Sequence, residues 1–66
     1  MKMYENIIDK IIKIVYGDKY KTWVRKCLVL DYDTELKTLS LKDLDSNEQH
    51  FVHASEIKHI GVINNE

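Results

Sequence analysis

Across 66 residues the sequence has no proline, one cysteine, one arginine, one phenylalanine and two glycines. The single Cys27 excludes an internal disulfide, and no Cys-rich ligand set exists for structural zinc. Without proline, no rigid hinge is written into the chain. Two isolated glycines exclude a Gly-rich phosphate loop, and neither a nucleophile elbow nor a Walker-type pattern occurs. Long hydrophobic runs are missing as well. Lys and Asp interrupt the apolar clusters every few residues, so no membrane span is expected. The opening residues lack an apolar stretch ending in a small-residue cleavage site, so no signal peptide is expected either. An unpaired thiol and no export signal together point to a reducing cytoplasm.

What is present fits one small domain spanning residues 1–66. A chain of this size buries only about 60% of the surface its unfolded form exposes, so stability is marginal. With 44% apolar residues, an efficient core or self-association as a homodimer or larger ring must supply the shortfall. The net charge of −1 conceals an uneven distribution. Residues 20–32 carry three basic groups and one acid, whereas residues 33–48 carry two basic groups and five acids. No segment reaches the basic density usual for binding a phosphate backbone.

Residues 3–16 read as an amphipathic helix. Tyr4, Ile7, Ile8, Ile11, Ile12, Val15 and Tyr16 recur at three-and-four spacing, opposite Glu5, Asp9, Lys10 and Lys13. Gly17 would then supply the left-handed position that closes it. Lys21 to Tyr32 follows as a long strand with apolar groups on both faces. Trp23, Cys27 and Val29 point one way; Val24, Leu28, Leu30 and Tyr32 point the other. Two apolar faces demand two covers: a barrel interior beneath and the helix above. Acidic residues 31–35 make a turn, and Leu36 to Lys42 resumes alternation with Leu39 and Leu41 inward. After a polar turn at 43–48, Gln49 to Ala54 forms another strand. Ser55 and Glu56 cap a single helical turn, and Lys58 to Ile63 closes the chain. The expected architecture is α+β: an N-terminal amphipathic helix at 3–16 packed on a small antiparallel barrel of four or five strands at 20–63.

Over Val29 to Ile60 the succession of apolar strand, acidic turn, apolar strand, polar turn, then Phe51, Ile57 and Ile60 resembles SH3-like and Sm-like small barrels. It is similar to YolD-like proteins and to Hfq-like domains. The resemblance implies a fold rather than an activity. Residues 24–32 lack the glycine usual at the bend of Sm-type strands, and the RNA-binding signatures of the Hfq-like family are absent.

Catalysis is not expected. His50 and His53 are separated by an odd number and fall on opposite faces of a strand, so with His59 they make no metal site. Cys27 lies mid-strand among apolar neighbours and reads as a packed thiol, not a nucleophile. No cofactor is implied. The surviving class is binding by a small regulator or inhibitor acting through protein contacts, by analogy with small stand-alone domains of phage and other mobile elements. Its expected surface is an acidic edge of Asp31, Asp33, Glu35, Asp43, Asp45 and Glu48. A free strand edge could also pair with another chain. The alternative is a single-stranded nucleic-acid binder using Tyr20, Lys21, Trp23, Arg25 and Lys26, with Lys19 beside them. A third reading is an oligomer sequestering a small ligand at subunit boundaries.

Overall fold

A computed structural model describes residues 4–64, with the side chains of Glu5 and Asn64 left undescribed. Five strands form one antiparallel sheet: β1 (Ile11–Gly17), β2 (Thr22–Asp33), β3 (Thr38–Asp43), β4 (Gln49–His53) and β5 (Ile57–Asn64). Their order across the sheet is β4-β3-β2-β1-β5. Two 3₁₀ turns, Glu5–Ile7 and Ala54–Glu56, are the only helical elements among the described residues.

The amphipathic helix expected at 3–16 does not form over its described part; Met3 lies outside the described residues. A 3₁₀ turn at Glu5–Ile7 leads to Asp9 in the left-handed region (φ 70°), and the chain then extends as β1. The reason is legible in the residue that the helical stripe leaves out. Ile14 does not belong to the three-and-four pattern, yet Ile12 and Ile14 are fully buried while Lys13 between them is exposed. That is period 2. The run Ile11, Ile12, Ile14 and Val15 is β-branched, which favours a pleated strand over a helix. Tertiary pairing on both sides, with β2 and with β5, then settles the competition.

The two-faced character of β2 also has a different origin from the one expected. No helix covers its outer side. Val24 is 59% exposed and Leu30 is at the surface. Opposite β3, Val29 pairs with Leu41 but Asp31 pairs with Ser40, so Leu30 is an extra residue in the ladder. Such a bulge shifts the alternation by one. Tyr32 therefore returns to the core side, across from the buried Leu39, where its ring meets Tyr4 at 5.0 Å. β2 serves two partners, pairing with β1 through Leu28 and with β3 from Cys27 onward.

Ile12, Ile14, Cys27, Val29, Leu39, Leu41 and Val52 form the fully buried core, drawn from β1 to β4. Tyr4, Ile7 and Ile8 close it at one end, and Tyr16, Ile57 and Ile60 pack against it from β1 and β5. Among the described residues no second sheet lies over this face, and a flat sheet would leave it wet. Full burial therefore requires the sheet to curve around its own apolar side, which is compatible with a small barrel. Burial pushes the Cys27 thiol up to about 11, with the nearby Asp43 charge acting in the same direction, so the inert reading of this cysteine agrees with its environment.

Gly17 closes β1 with φ 139° instead of capping a helix. A Cβ there would sit 2.1 Å from the Lys21 carbonyl oxygen, so the hairpin admits no side chain at this position.

Candidate functional site

Each of the first three hairpins begins with an aspartate that turns its carboxylate back on the chain. Asp18 Oδ1 accepts the amides of Tyr20 and Lys21 at 2.8 and 2.9 Å. Asp33 Oδ1 accepts those of Glu35 and Leu36 at 2.9 and 3.0 Å. Asp43 Oδ1 accepts those of Asp45 and Ser46 at 2.8 and 3.3 Å. Short acidic side chains are favoured in turns for this reason. The amides of Tyr20 and of Asp45, respectively, are the chief cause of the lowered pKa values of Asp18 and Asp43.

This geometry divides the expected acidic edge. Asp31, Asp33 and Glu35 lie on the β2–β3 hairpin, while Asp43, Asp45 and Glu48 lie at the other end of β3. A strand of that length separates the two groups by roughly 17–20 Å. Asp33 and Asp43 are committed to their turns. Asp43 is also buried, and its Oδ2 accepts from Arg25 Nη1 at 2.8 Å. Asp43 holds the last inward place of β3, and Leu44 beyond it is exposed.

The basic and aromatic residues divide in a similar way. Tyr20 is 85% exposed and Trp23 is 38% exposed at the β1–β2 hairpin. Lys19 lies over the Tyr20 ring, and Lys21 lies over Trp23 at 4.2 Å. Lys58, which sequence spacing alone does not connect with this group, reaches the hairpin from β5. Its Nζ donates to the Asp18 carbonyl at 3.1 Å and to Thr22 Oγ1 at 2.9 Å. Arg25 also keeps to Trp23, its guanidinium carbon 5.0 Å from the ring centroid, while its Nε donates to Tyr16 Oη at 3.1 Å and its Nη1 to Asp43, bonds that hold it protonated. Lys26 falls on the opposite face of β2 from Trp23 and Arg25.

Among the histidines, His53 caps the second 3₁₀ turn, its Nδ1 accepting from the Ser55 amide at 3.1 Å. His50 Nε2 is buried without a hydrogen-bond partner, 4.0 Å from Asp43 Oδ2 and 3.9 Å from Glu48 Oε1. The described residues contain no group of three His, Cys, Asp or Glu side chains placed to hold a metal ion. No helix among them is long and apolar enough to cross a membrane.

The remaining surface consists of the free edges of the sheet. Among the described residues β4 pairs only with β3, and β5 only with β1, so each presents an unpaired row of backbone groups. Phe51 on β4 is 66% exposed, and Val62 and Ile63 on β5 are about half exposed. Comparison with family models, curated proteins and solved structures finds no match to this chain. Its chemistry must therefore be read from these surfaces.

Proposed function

We propose that this protein is a non-enzymatic interaction module, a small cytoplasmic regulator or inhibitor that works through protein–protein contacts at the two open edges of its sheet. The observation that carries the reading is the exposed Phe51 on one free edge, with Val62 and Ile63 on the other. A free edge offers main-chain hydrogen bonds, and exposed apolar side chains beside it offer area to bury. The strand order, with a single 3₁₀ turn between β4 and β5, supports an SH3-like or Sm-like description of the barrel. A second copy is the partner most directly tested, because the edges differ and can pair head to tail. Sedimentation over a range of concentrations should show species heavier than the 7.8 kDa monomer. Phe51→Lys should return the mass to that of the monomer without loss of β-structure. A wild-type protein that stays monomeric throughout would remove this version.

A second reading, single-stranded nucleic-acid binding, is favoured by the exposed Tyr20 and Trp23 with Lys19, Lys21 and Lys58 gathered around one hairpin. Base stacking on such rings is worth about 1–3 kcal/mol per base. Oligonucleotide affinity should then fall steeply with added salt and drop at least about tenfold in Trp23→Ala. An affinity unchanged by that substitution counts against it.

A further inference from the structure

Lys13 on β1 and Lys26 on β2 are direct cross-strand partners on the outer face of the sheet. Directly opposed side chains have Cβ atoms about 4.5–5.5 Å apart, and like charges in that relation are destabilising. Neither lysine is in an ion pair with any acid among the described residues, where the pairs run instead from Arg25 to Asp43 and around His50. The third neighbour in the row is Gly61 on β5, which brings no side chain of its own beside Lys13 and has His59 Nε2 3.7 Å from where a Cβ would sit. The fold thus carries an uncompensated repulsion at the centre of two of its longest paired strands.

The two lysines line one wall of an open concavity of about 380 Å³, together with Val24, Arg25, Asp43, Asp45 and Ser46. Its donors are not all used. Arg25 spends Nε and Nη1 on Tyr16 and Asp43, which leaves Nη2 without a partner among the described residues. Ser46 Oγ accepts from the Glu48 amide at 3.3 Å, so its hydroxyl hydrogen is available to donate. Asp43 is saturated by Arg25 and two amides, and Asp45 is the one acid at the rim with an uncommitted carboxylate. Val24, 59% exposed, offers an apolar contact beside them.

We propose that this concavity is a binding site for a small phosphomonoester, whose dianionic oxygens bridge Lys13 and Lys26 and accept from Ser46 and the free Arg25 nitrogen. Lysine suits this role as a mobile point charge that meets phosphate oxygens from several directions. A bound dianion converts the repulsive pair into two attractive ones, which accounts for the juxtaposition. The volume suits a small molecule rather than a chain. The site is separate from the sheet edges and meets the Tyr20–Trp23 hairpin only through Arg25, whose guanidinium lies over Trp23.

The test is an amide-shift titration of the intact protein with glycerol phosphate and inorganic phosphate, with sodium chloride at equal ionic strength as control. Shifts should centre on Lys13, Val24, Lys26 and Ser46. Lys13→Gln and Lys26→Gln should each weaken binding at least about tenfold, the loss of one charged hydrogen bond, while Asp45→Asn should tighten it. Without ligand, Lys26→Glu should melt no lower than wild type, because it replaces a like-charge pair with an opposite one. Thermal stabilisation by glycerol phosphate should then vanish in that variant. Responses to inorganic phosphate alone identify the free anion as the ligand, and stronger responses to the ester identify the organic phosphate. Equal affinity in wild type and both glutamine variants overturns the proposal. So does a response to chloride as large as that to phosphate, or a response to an oligonucleotide only.

Discussion

Ile14→Ala removes about 2–5 kcal/mol of stability, the range for truncating a large buried aliphatic side chain to alanine. A chain of this length has about 3–10 kcal/mol in total, so the loss is a large fraction of it. Ile14 is fully buried in β1, which pairs on both sides, and so no neighbouring surface is free to collapse into the cavity. Val15→Ala is the informative contrast. In a helix with the stripe of Ile11, Ile12 and Val15 facing inward, Val15 would be the costly site and Ile14 the tolerant one. In the strand, Val15 sits on the outer face and its truncation costs well under half as much. Urea unfolding of the two variants separates the alternatives, and equal losses would contradict the strand.

Asp43→Ala is the second large effect, comparable in size to that of Ile14→Ala. One carboxylate accepts two turn amides with Oδ1 and the Arg25 guanidinium with Oδ2, from a buried position opposite Cys27. Removing it frees the β3–β4 turn, leaving the Asp45 and Ser46 amides without their acceptor, and takes the anion from the partly exposed Arg25. Asp43→Asn distinguishes the two contributions, because an amide oxygen can still accept from Asp45 and Ser46 while the charge is lost. Its urea midpoint should fall between wild type and the alanine variant.

The pH dependence follows from the same carboxylate. Its pKa in the folded protein is lowered, first by the Asp45 amide. The unfolded chain therefore takes up the proton more readily, and the stabilisation is present above the ordinary carboxylate value of about 4 and lost as pH falls below it. Asp18 acts in the same sense at the first hairpin. Asp43→Asn should flatten the acid limb of the stability curve, with the part due to Asp18 remaining.

The β-rich core was legible from residue 21 onward because side chains alternate there, interrupted only by the bulge at Leu30, and the strands are bounded by polar turns. Leu39 and Leu41 point inward as their spacing implies, Cys27 is buried, and a single turn does precede the last strand, though His53 caps it and Ser55 and Glu56 lie within it. The first seventeen residues misled because seven apolar side chains satisfy a helical period once Ile14 is set aside, and the decisive sign lay in that one discordant isoleucine. The acidic residues misled for a different reason. A carboxylate that caps its own turn has the same sequence signature as one that faces a partner, and Asp33 and Asp43 are of the first kind.

Composition and pattern alone determined that an internal disulfide is impossible, that Cys27 packs in the core, and where most of the strands after residue 20 and the polar turns between them fall. Tertiary structure decided whether the isoleucine stretch coils or extends, because pairing with β2 and β5 outweighs a local preference of a few tenths of a kcal/mol per residue. It also decided which charges meet. Arg25 and Asp43, eighteen residues apart, become partners, while Lys13 and Lys26 are held face to face with no acid between them, and no periodicity within a single strand records either fact.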